Sequence, residues 1–384
     1  MTFESRPLQE ICTFIDYRGK TPPKTEFGIP LITAKIVKNG SILPPNEFIS
    51  PDFYDEWMRR GIPQKGDIVF TTEAPLGEVA QITTSEKLAF AQRIIIIHAD
   101  GNHLSNDYLL YALQDRILKS RIEAKSSGTT VVGIKAAELK KVVIDLPPMA
   151  LQRKIASICK AVDKKIFYNQ KINDNLLQQA VAIFNKYYDE ANEQRTFTSL
   201  IHVLGGGTPK TGVAEFWDGE IPFFTPKDVG SPYTFQTEKY ITKAGLDHCN
   251  SRLYPKNTSF VTARGTVGKV SLAGKPMAMN QSCYALASDY VDPILVYFYV
   301  LKAVDSLKHK ASGAVFDAIV TRDFDTETIR VLSAEDAQAV LESITSMMEA
   351  IHSNAEENMR LSLLRDTLLP KLMSGEIDIS NVQL

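Results

Sequence analysis

No apolar run in this chain approaches the ~20 residues needed to span a bilayer. The longest aliphatic stretch, Ile94 to Ile97, reads as a buried strand. The opening MTFESRPLQEI has no basic segment followed by an apolar one, so no secretory signal is visible and cytoplasmic residence is the expectation. Cysteine is scarce. Cys12, Cys159, Cys249 and Cys283 lie far apart and form no Cys-x-x-Cys pair at zinc-finger spacing, which points to free structural thiols. A formal charge of -2 argues against a protein that coats nucleic acid indiscriminately, but it leaves room for local basic patches.

Signatures of catalysis are missing as well. His98, His103, His202, His248, His309 and His352 are scattered, with no pair four residues apart enclosing a glutamate as a metalloenzyme helix requires. The Gly-rich GGGTPKTG (Gly205 to Gly212) lacks both the G-x-x-x-x-G-K-[ST] and the G-x-G-x-x-G register, so its Pro-Lys-Thr turn reads as a loop entering a strand. FDAIVTRDFD gathers Asp317, Asp323 and Asp325, but no lysine follows at the spacing of a nuclease core. These carboxylates read as charges at strand ends and turns. The Pro-Pro pairs at Pro22, Pro44 and Pro147 lack the flanking Asp or Asn and aromatic that amino-methyltransferases place around a flipped base. Neither a metal nor a cofactor is expected, and the chain reads as non-enzymatic.

What the sequence does have is a repeat. At 384 residues the chain exceeds the size at which one core usually stops growing, so two domains are the prior. RGKTPPKTEFGIPLIT (Arg18 to Thr33) and GGTPKTGVAEFWDGEIPFFT (Gly206 to Thr225) share a Thr-Pro and Pro-Lys-Thr core, an aromatic, a Gly and an Ile-Pro before an apolar run. The order then holds along the chain. GDIVFTTEAPLGEVA (Gly66 to Ala80) aligns with NTSFVTARGTVGKVS (Asn257 to Ser271), and AFAQ (Ala89 to Gln92) with AMNQ (Ala278 to Gln281). An aromatic-rich helical stretch follows in each half, from Asp107 and from Pro293, and then a Ser-Gly turn, SSGTTVVGI and ASGAVFDAI.

After each turn the pattern changes to helical. From Met149 to about Tyr188 there is no Gly or Pro, and Leu151, Ile155, Ile158, Val162, Ile166, Ile172, Leu176 and Ile183 recur at spacings of three and four. The second half answers with Leu341, Ile344, Met348, Ile351, Ala355, Met359, Leu363 and Leu368, ending at Pro370 and Gly375. At 1.5 Å per residue each helix is on the order of 60 Å long. Such stripes are too long for a small domain to cover, so each helix needs the other. Lys165 and Asn169 fall near the seam, either fixing register inside it or turning to solvent. Phe167, Tyr168, Phe184 and Tyr187 lie off the main seam and read as a second apolar surface.

The expected fold is therefore α/β (α+β): two globular domains joined by two long helices forming an antiparallel coiled coil, as a pseudo-twofold internal repeat. The expected segments are 1–146, helix 147–190, 196–331, helix 332–375 and a tail 376–384. Loops of both halves carry cations beside small hydroxyls, the side chains that phosphate contacts need: Lys20, Lys24, Lys35, Arg59, Arg60, Lys125, Ser127 and Thr129, then Lys210, Thr211, Lys227, Arg264, Lys269, Lys310 and Arg322. They are candidate nucleic-acid contacts, and the resemblance described next makes them the candidate DNA-binding residues.

Three segments carry a family resemblance: LPPMALQRKIASICKAVDKKI (Leu146 to Ile166), GGTPKT…IPFFT (Gly206 to Thr225) and LLPKLMSGEI (Leu368 to Ile377). In this order they resemble the DNA-specificity subunits of type I restriction–modification systems, over essentially the whole chain. The resemblance implies two target recognition domains, each reading one half of a bipartite asymmetric site on double-stranded DNA. It implies helices that act as a ruler and bind DNA methyltransferase (modification) subunits, two of them expected. Methylation, ATP hydrolysis and cleavage would belong to partner chains, including ATP-dependent restriction or translocase subunits. Leu151 departs from the acidic residue usual after Leu-Pro-Pro, and LSAEDAQ (Leu332 to Gln338) stands where a second Leu-Pro-Pro is expected, which bears on how the second helix docks. Two readings of other classes stay open: a catalytic DNA-modifying enzyme with an unrecognised motif, and a coiled-coil protein-interaction scaffold.

Overall fold

Alternation along Ile94–Ala99 explains its unbroken apolar run. Side chains of a strand point to opposite faces in turn, and here both faces are covered. Ile95 and Ile97 pack with Tyr108, Leu109 and Tyr111, whereas Ile94 and Ile96 pack with Leu31, Phe90 and Tyr17 on the other side. This strand is central to a four-stranded sheet in the order Cys12–Asp16, Ile94–Ala99, Ile68–Thr72, Leu76–Gln81, antiparallel throughout. A computed structural model of the chain describes residues 3–17, 19, 21–128, 131–230, 232–310, 318–379 and 382. It divides into two compact units, Met1–Lys164 with Ser362–Leu384, and Lys165–Leu361.

The second unit repeats the sheet: His202–Gly205, Cys283–Ala287, Ser259–Thr262 and Val270–Ala273 take the same order, with Tyr233–Thr234 added at the edge. The match extends to register. In the first unit Pro30 lies opposite Phe48, and Leu31 and Ile32 pair in parallel with Ala89 and Phe90. In the second, Pro222 lies opposite Tyr240, and Phe223 and Phe224 pair in parallel with Ala278 and Met279. The shared Ile-Pro and Ala-x-x-Gln strings are thus the two halves of one parallel pair. The architecture is α+β, with mixed strands.

A terminal ribbon leads into each long helix: Glu4–Pro7 with Val143–Leu146, and Glu193–Thr196 with Thr328–Val331. The first helix, Met149–Glu190, has 42 residues, and the second, Ala334–Met373, has 40. They start by different chemistry. Pro147 and Pro148 precede the first, and Gln152 is then fully buried, its amide donating to the carbonyls of His103 (2.7 Å) and Pro147 (2.9 Å) and accepting from Ser105 N (3.1 Å). The second has no Leu-Pro-Pro, but Ser333 Oγ accepts from Asp336 N (3.0 Å) and donates to its carboxylate (2.7 Å), a cap that frees the start from proline. It docks within its unit through Val340, Ile344, Met348 and Ile351, and through His352, whose Nε2 lies 2.8 Å from the Gly274 carbonyl between the rings of Tyr233 and Phe235.

The helices run antiparallel in each unit. In the first, Asp163 accepts from Arg365 Nη1 (2.7 Å) and from the Tyr111 hydroxyl (2.7 Å), while Lys154 reaches the Ile379 carbonyl past the end of the second helix. Burial works against the Arg365 charge, but Asp163 and Asp366 outweigh it and raise the guanidinium pKa. In the second, Asn169 donates to Glu357 (2.7 Å) and Asn358 (2.9 Å), and Asn173 donates to the Ile351 carbonyl (3.3 Å) while accepting from Asn354 (2.9 Å). Asn169, 1% exposed, is inside the seam; Lys165 sits at its rim, 3.1 Å from Glu357.

Two expectations need correction. Phe184 does not belong to an outer surface: it is buried, stacked on Phe298 at 5.2 Å and edge-on to Tyr299, and Tyr187 packs partly buried against the same core. Pro370 does not end the second helix, which continues to Met373 before Gly375 at φ +72. Its missing N–H costs one bond near the helix end, and burial of Leu369, Leu372 and Met373 holds the final turn in place. The four cysteines are free, and burial pushes the thiols of Cys12, Cys159 and Cys283 up to about 12. Among the described residues no helix is long and apolar enough to cross a membrane.

Because Gln152 satisfies three backbone groups, Gln152→Ala should leave them buried and unpaired and lower stability by roughly 2–4 kcal/mol. Urea unfolding measures this; a loss under about 0.5 kcal/mol would mean water replaces the amide freely.

Candidate nucleic-acid interface

One end of each central sheet gathers the loops that carry the basic candidates. In the second unit that end is formed by Gly205, Cys283, Thr262 and Val270, the residues that close four adjacent strands. Beyond Gly205, the chain folds over the Met279–Gln281 segment: Gly207 N donates to the Met279 carbonyl (3.2 Å) and the Thr208 hydroxyl donates to Gln281. This seats Lys210 and Thr211, both exposed, on the rim. The glycines are required by proximity, since a Cβ at Gly206 would overlap the Asn280 carbonyl and one at Gly207 the backbone of Asn250, while Gly205 faces open space.

Next to it lies the turn Thr225-Pro226-Lys227, which follows the parallel strand. Asp228 closes it, accepting from Thr225 N (2.8 Å) and Oγ1 (2.6 Å), and exposed Lys227 lies 3.4 Å from Glu238. The hairpin turn after Ser259–Thr262 then carries Arg264, Thr266 and Lys269. Thr266 Oγ1 donates to the Pro226 carbonyl (3.3 Å), so this turn and the Lys227 turn touch. Gly265 (φ +82) and Gly268 (φ +72) supply the left-handed positions the hairpin needs. Arg264 pairs backbone to backbone with Ala318, and Ile319 N donates to the Ala263 carbonyl (2.9 Å), which brings the approach to Arg322 alongside.

The first unit builds the same end. Thr33-Ala34-Lys35 holds the place of the Lys227 turn, and Lys35 is exposed. Thr72 N donates to the Arg93 carbonyl (2.9 Å) as Ala263 N does to Ser282 (2.8 Å), and Ile134 N donates to the Thr72 carbonyl (3.0 Å) as Ile319 N does to Ala263. Glu73 pairs with Gly133 at the position of Arg264 with Ala318. Arg60 Nη1 donates to the Asp16 carbonyl (2.6 Å) at the edge of this end, with Arg59 exposed beside it. Ser127 exchanges two backbone bonds with Gly133 (2.8 and 3.0 Å), which closes the loop that also presents Lys125.

Some candidates have other duties. Lys24 is paired with Glu47 at 2.8 Å. Lys310 lies 2.6 Å from Glu327, whose side chain is 3% exposed, and so serves as the counter-charge of a buried carboxylate. Lys20 and Thr129 lie outside the described residues. Of the three clustered aspartates, Asp323 accepts from Val320 N (2.8 Å) at the start of helix Thr321–Thr326, and Asp317 is outside the described residues. Among the described residues no group of His, Cys, Asp and Glu is placed to hold a metal.

A family model of the type I restriction modification DNA specificity domain matches the chain twice, over residues 1–178 and 190–360. The chain belongs to that family. It is similar to the type I restriction enzyme MjaIX specificity subunit of Methanocaldococcus jannaschii, with 28% identity over 162 residues, 41% of this chain and 38% of that protein. Similarity to the HindI specificity subunit of Haemophilus influenzae is 28% over 190 residues, 48% of this chain and 41% of that one. The chain thus spans about two fifths of the length of these curated relatives. Its fold resembles the type I restriction–modification S subunit of M. genitalium, at a TM-score of 0.58 and 14% identity over 97% of this chain and 96% of that one.

Sequence reasoning missed Arg93, Gln281, Thr266 and Glu73 at this end of the family's two units. Their signal was present: Gln92 and Gln281 close the repeated Ala-x-x-Gln string, and Arg93 follows directly. The crowding at Gly206 gives a sharp expectation. Gly206→Ala should force the loop off Asn280 and cost roughly 1–3 kcal/mol, whereas Gly205→Ala should stay within about 0.5 kcal/mol. Equal denaturation midpoints for the two variants would contradict this packing.

Proposed function

We propose that this chain is the sequence-reading subunit of a type I restriction–modification complex. Residues 1–146 and 196–331 each read one half of a bipartite, asymmetric site on double-stranded DNA. Residues 147–190 and 332–375 form the helices that set the gap and dock DNA methyltransferase subunits, with 376–384 as a tail. The observation that carries the reading is the duplicated loop end. Lys210, Lys227, Arg264 and Lys269 in one unit, and Lys35, Arg59, Arg60 and Lys125 in the other, leave the same end of an equivalent sheet. Family membership supplies the DNA. Cations and hydroxyls on loops of a rigid frame suit phosphate contacts, which set orientation, with a smaller number of side chains left for base edges.

The reading assigns no catalysis and no cofactor to this chain. Methyl transfer falls to two modification subunits, and ATP-dependent translocation and cleavage to restriction subunits that join through the complex, all in the cytoplasm. Phe167 and Tyr168, 52% and 51% exposed and packed edge-on at 5.8 Å, supply an apolar surface on the first helix that suits docking of a modification subunit. Co-purification followed by mass measurement should give one copy of this chain with two of the methyltransferase. A stable partner-free monomer would count against that assembly.

Exchangeability tests the two-reader idea directly. Replacing residues 1–145 by the matching segment of another specificity subunit should change one half of the methylated site and leave the other intact, read by mapping methylated adenines genome-wide. Changes in both halves would end the claim of independent readers, and absence of any bipartite methylation from the unaltered complex would end the functional reading itself.

A further inference from the structure

The two units differ in charge at one equivalent position, and the hydrogen bonds around it prove the equivalence. Thr72 and Ala263 each donate to a residue beyond the parallel strand, Arg93 and Ser282, and each accepts from an isoleucine that ends the Ser-Gly loop. The next residues, Glu73 and Arg264, make the matching backbone bridges to Gly133 and Ala318. In the first unit the pair at this point is Glu73 and Arg93, joined at 2.9 Å. In the second it is Arg264 and Ser282. Arg264 is exposed, and among the described residues no carboxylate pairs with it.

We propose that Arg264 determines specificity by donating both guanidinium N–H groups to O6 and N7 of a guanine in the half-site read by the second unit. This rests on the sequence-reading role proposed above. The backbone of Arg264 is held by the Ala318 bridge, and its turn is closed by Gly268 N donating to the Thr262 carbonyl (2.8 Å). Thr266, two residues on, ties the same turn to Pro226 beside Lys227 (3.3 Å). A side chain on so braced a turn gives up little backbone freedom on binding, and a planar fork that meets no carboxylate among the described residues suits bidentate recognition in the major groove. Lys227 and Lys210 flank it as compact point charges, suited to phosphates. At the equivalent point of the first unit Glu73 already occupies Arg93, at 2.9 Å.

The test uses the complex assembled with its modification subunits. Once the unaltered complex has given its bipartite site and the domain exchange has assigned the halves, Arg264→Ala should relax one guanine position in the second unit's half, by about ten- to a hundredfold in discrimination. Arg264→Lys keeps the charge and should relax the same position in part, since an ammonium lacks the rigid planar fork that fixes both bonds at once. A measurement independent of folding uses DNA in which that guanine is 7-deazaguanine. The unaltered complex should lose about fivefold or more in affinity, and the Arg264→Ala complex nothing further. The proposal is overturned if that half-site contains no guanine, if Arg264→Ala weakens all sequences alike, or if 7-deazaguanine binds as well as guanine. None of these outcomes touches the broader reading, which fails only if the unaltered complex marks no bipartite site.

Discussion

A helix of about 40 residues with an apolar stripe has to bury that stripe along its length, and a domain of ordinary size cannot cover it. Both long helices obey this constraint in the same way: part of each stripe joins a sheet core and the rest meets the other helix. In the first unit Ile155, Ala156 and Cys159 share a core with Leu369, Leu372 and Met373, and in the second Ala180 and Phe184 share one with Val340, Ile344 and Met348. Apolar packing alone leaves the register of such a seam open to slippage. The side chains of Asn169, Asn173, Asn354 and Asn358 close that freedom, because sliding by one turn would strand buried amides. Asp163 with Arg365 and Tyr111 does the same in the first unit, through a partly buried ion pair that a shift in register would break.

The duplication makes physical sense at the level of ladders. A two-residue parallel pair, Leu31–Ile32 with Ala89–Phe90 or Phe223–Phe224 with Ala278–Met279, fixes where several loops begin. Residues within that pair and the central sheet are held by hydrogen bonds and burial, so they repeat. Residues past the strand ends meet neither demand. Glu73 and Arg264 can therefore carry opposite charges although their backbones make matching bridges, to Gly133 and Ala318.

Much of this was legible in the sequence, and the exceptions share a cause. Periodicity located both helices and the doubly covered strand Ile94–Ala99, and ordered repetition located the frame. Phe184 was misplaced because its burial comes from Phe298 and Tyr299, more than a hundred residues away, and a helical wheel knows nothing of the helix Pro293–Lys310. Lys310 looked like a free loop cation, but its partner Glu327 is buried by the fold and not by its neighbours in sequence. Arg93 was overlooked because it follows a motif that reads as framework. The hydrogen bond from Thr72 to its carbonyl and its ion pair with Glu73 place it beside the hairpin turn.

Pairing among these cations also reconciles a formal charge of -2 with the proposed role on DNA. Non-specific affinity grows with the number of phosphates neutralised, because each contact releases condensed counterions. At the candidate ends Lys24, Arg93 and Lys227 each face a carboxylate, Glu47, Glu73 and Glu238. A cation already paired must give up or share its partner to meet a phosphate, so it adds less to indiscriminate attraction than a free one. Exposed pairs of this kind are weak, on the order of 0–1 kcal/mol, and thus release their cation at modest cost when the surrounding fit is good. On the proposed reading the arrangement would lower background binding more than binding at a well-matched site, which is the difference that discrimination depends on.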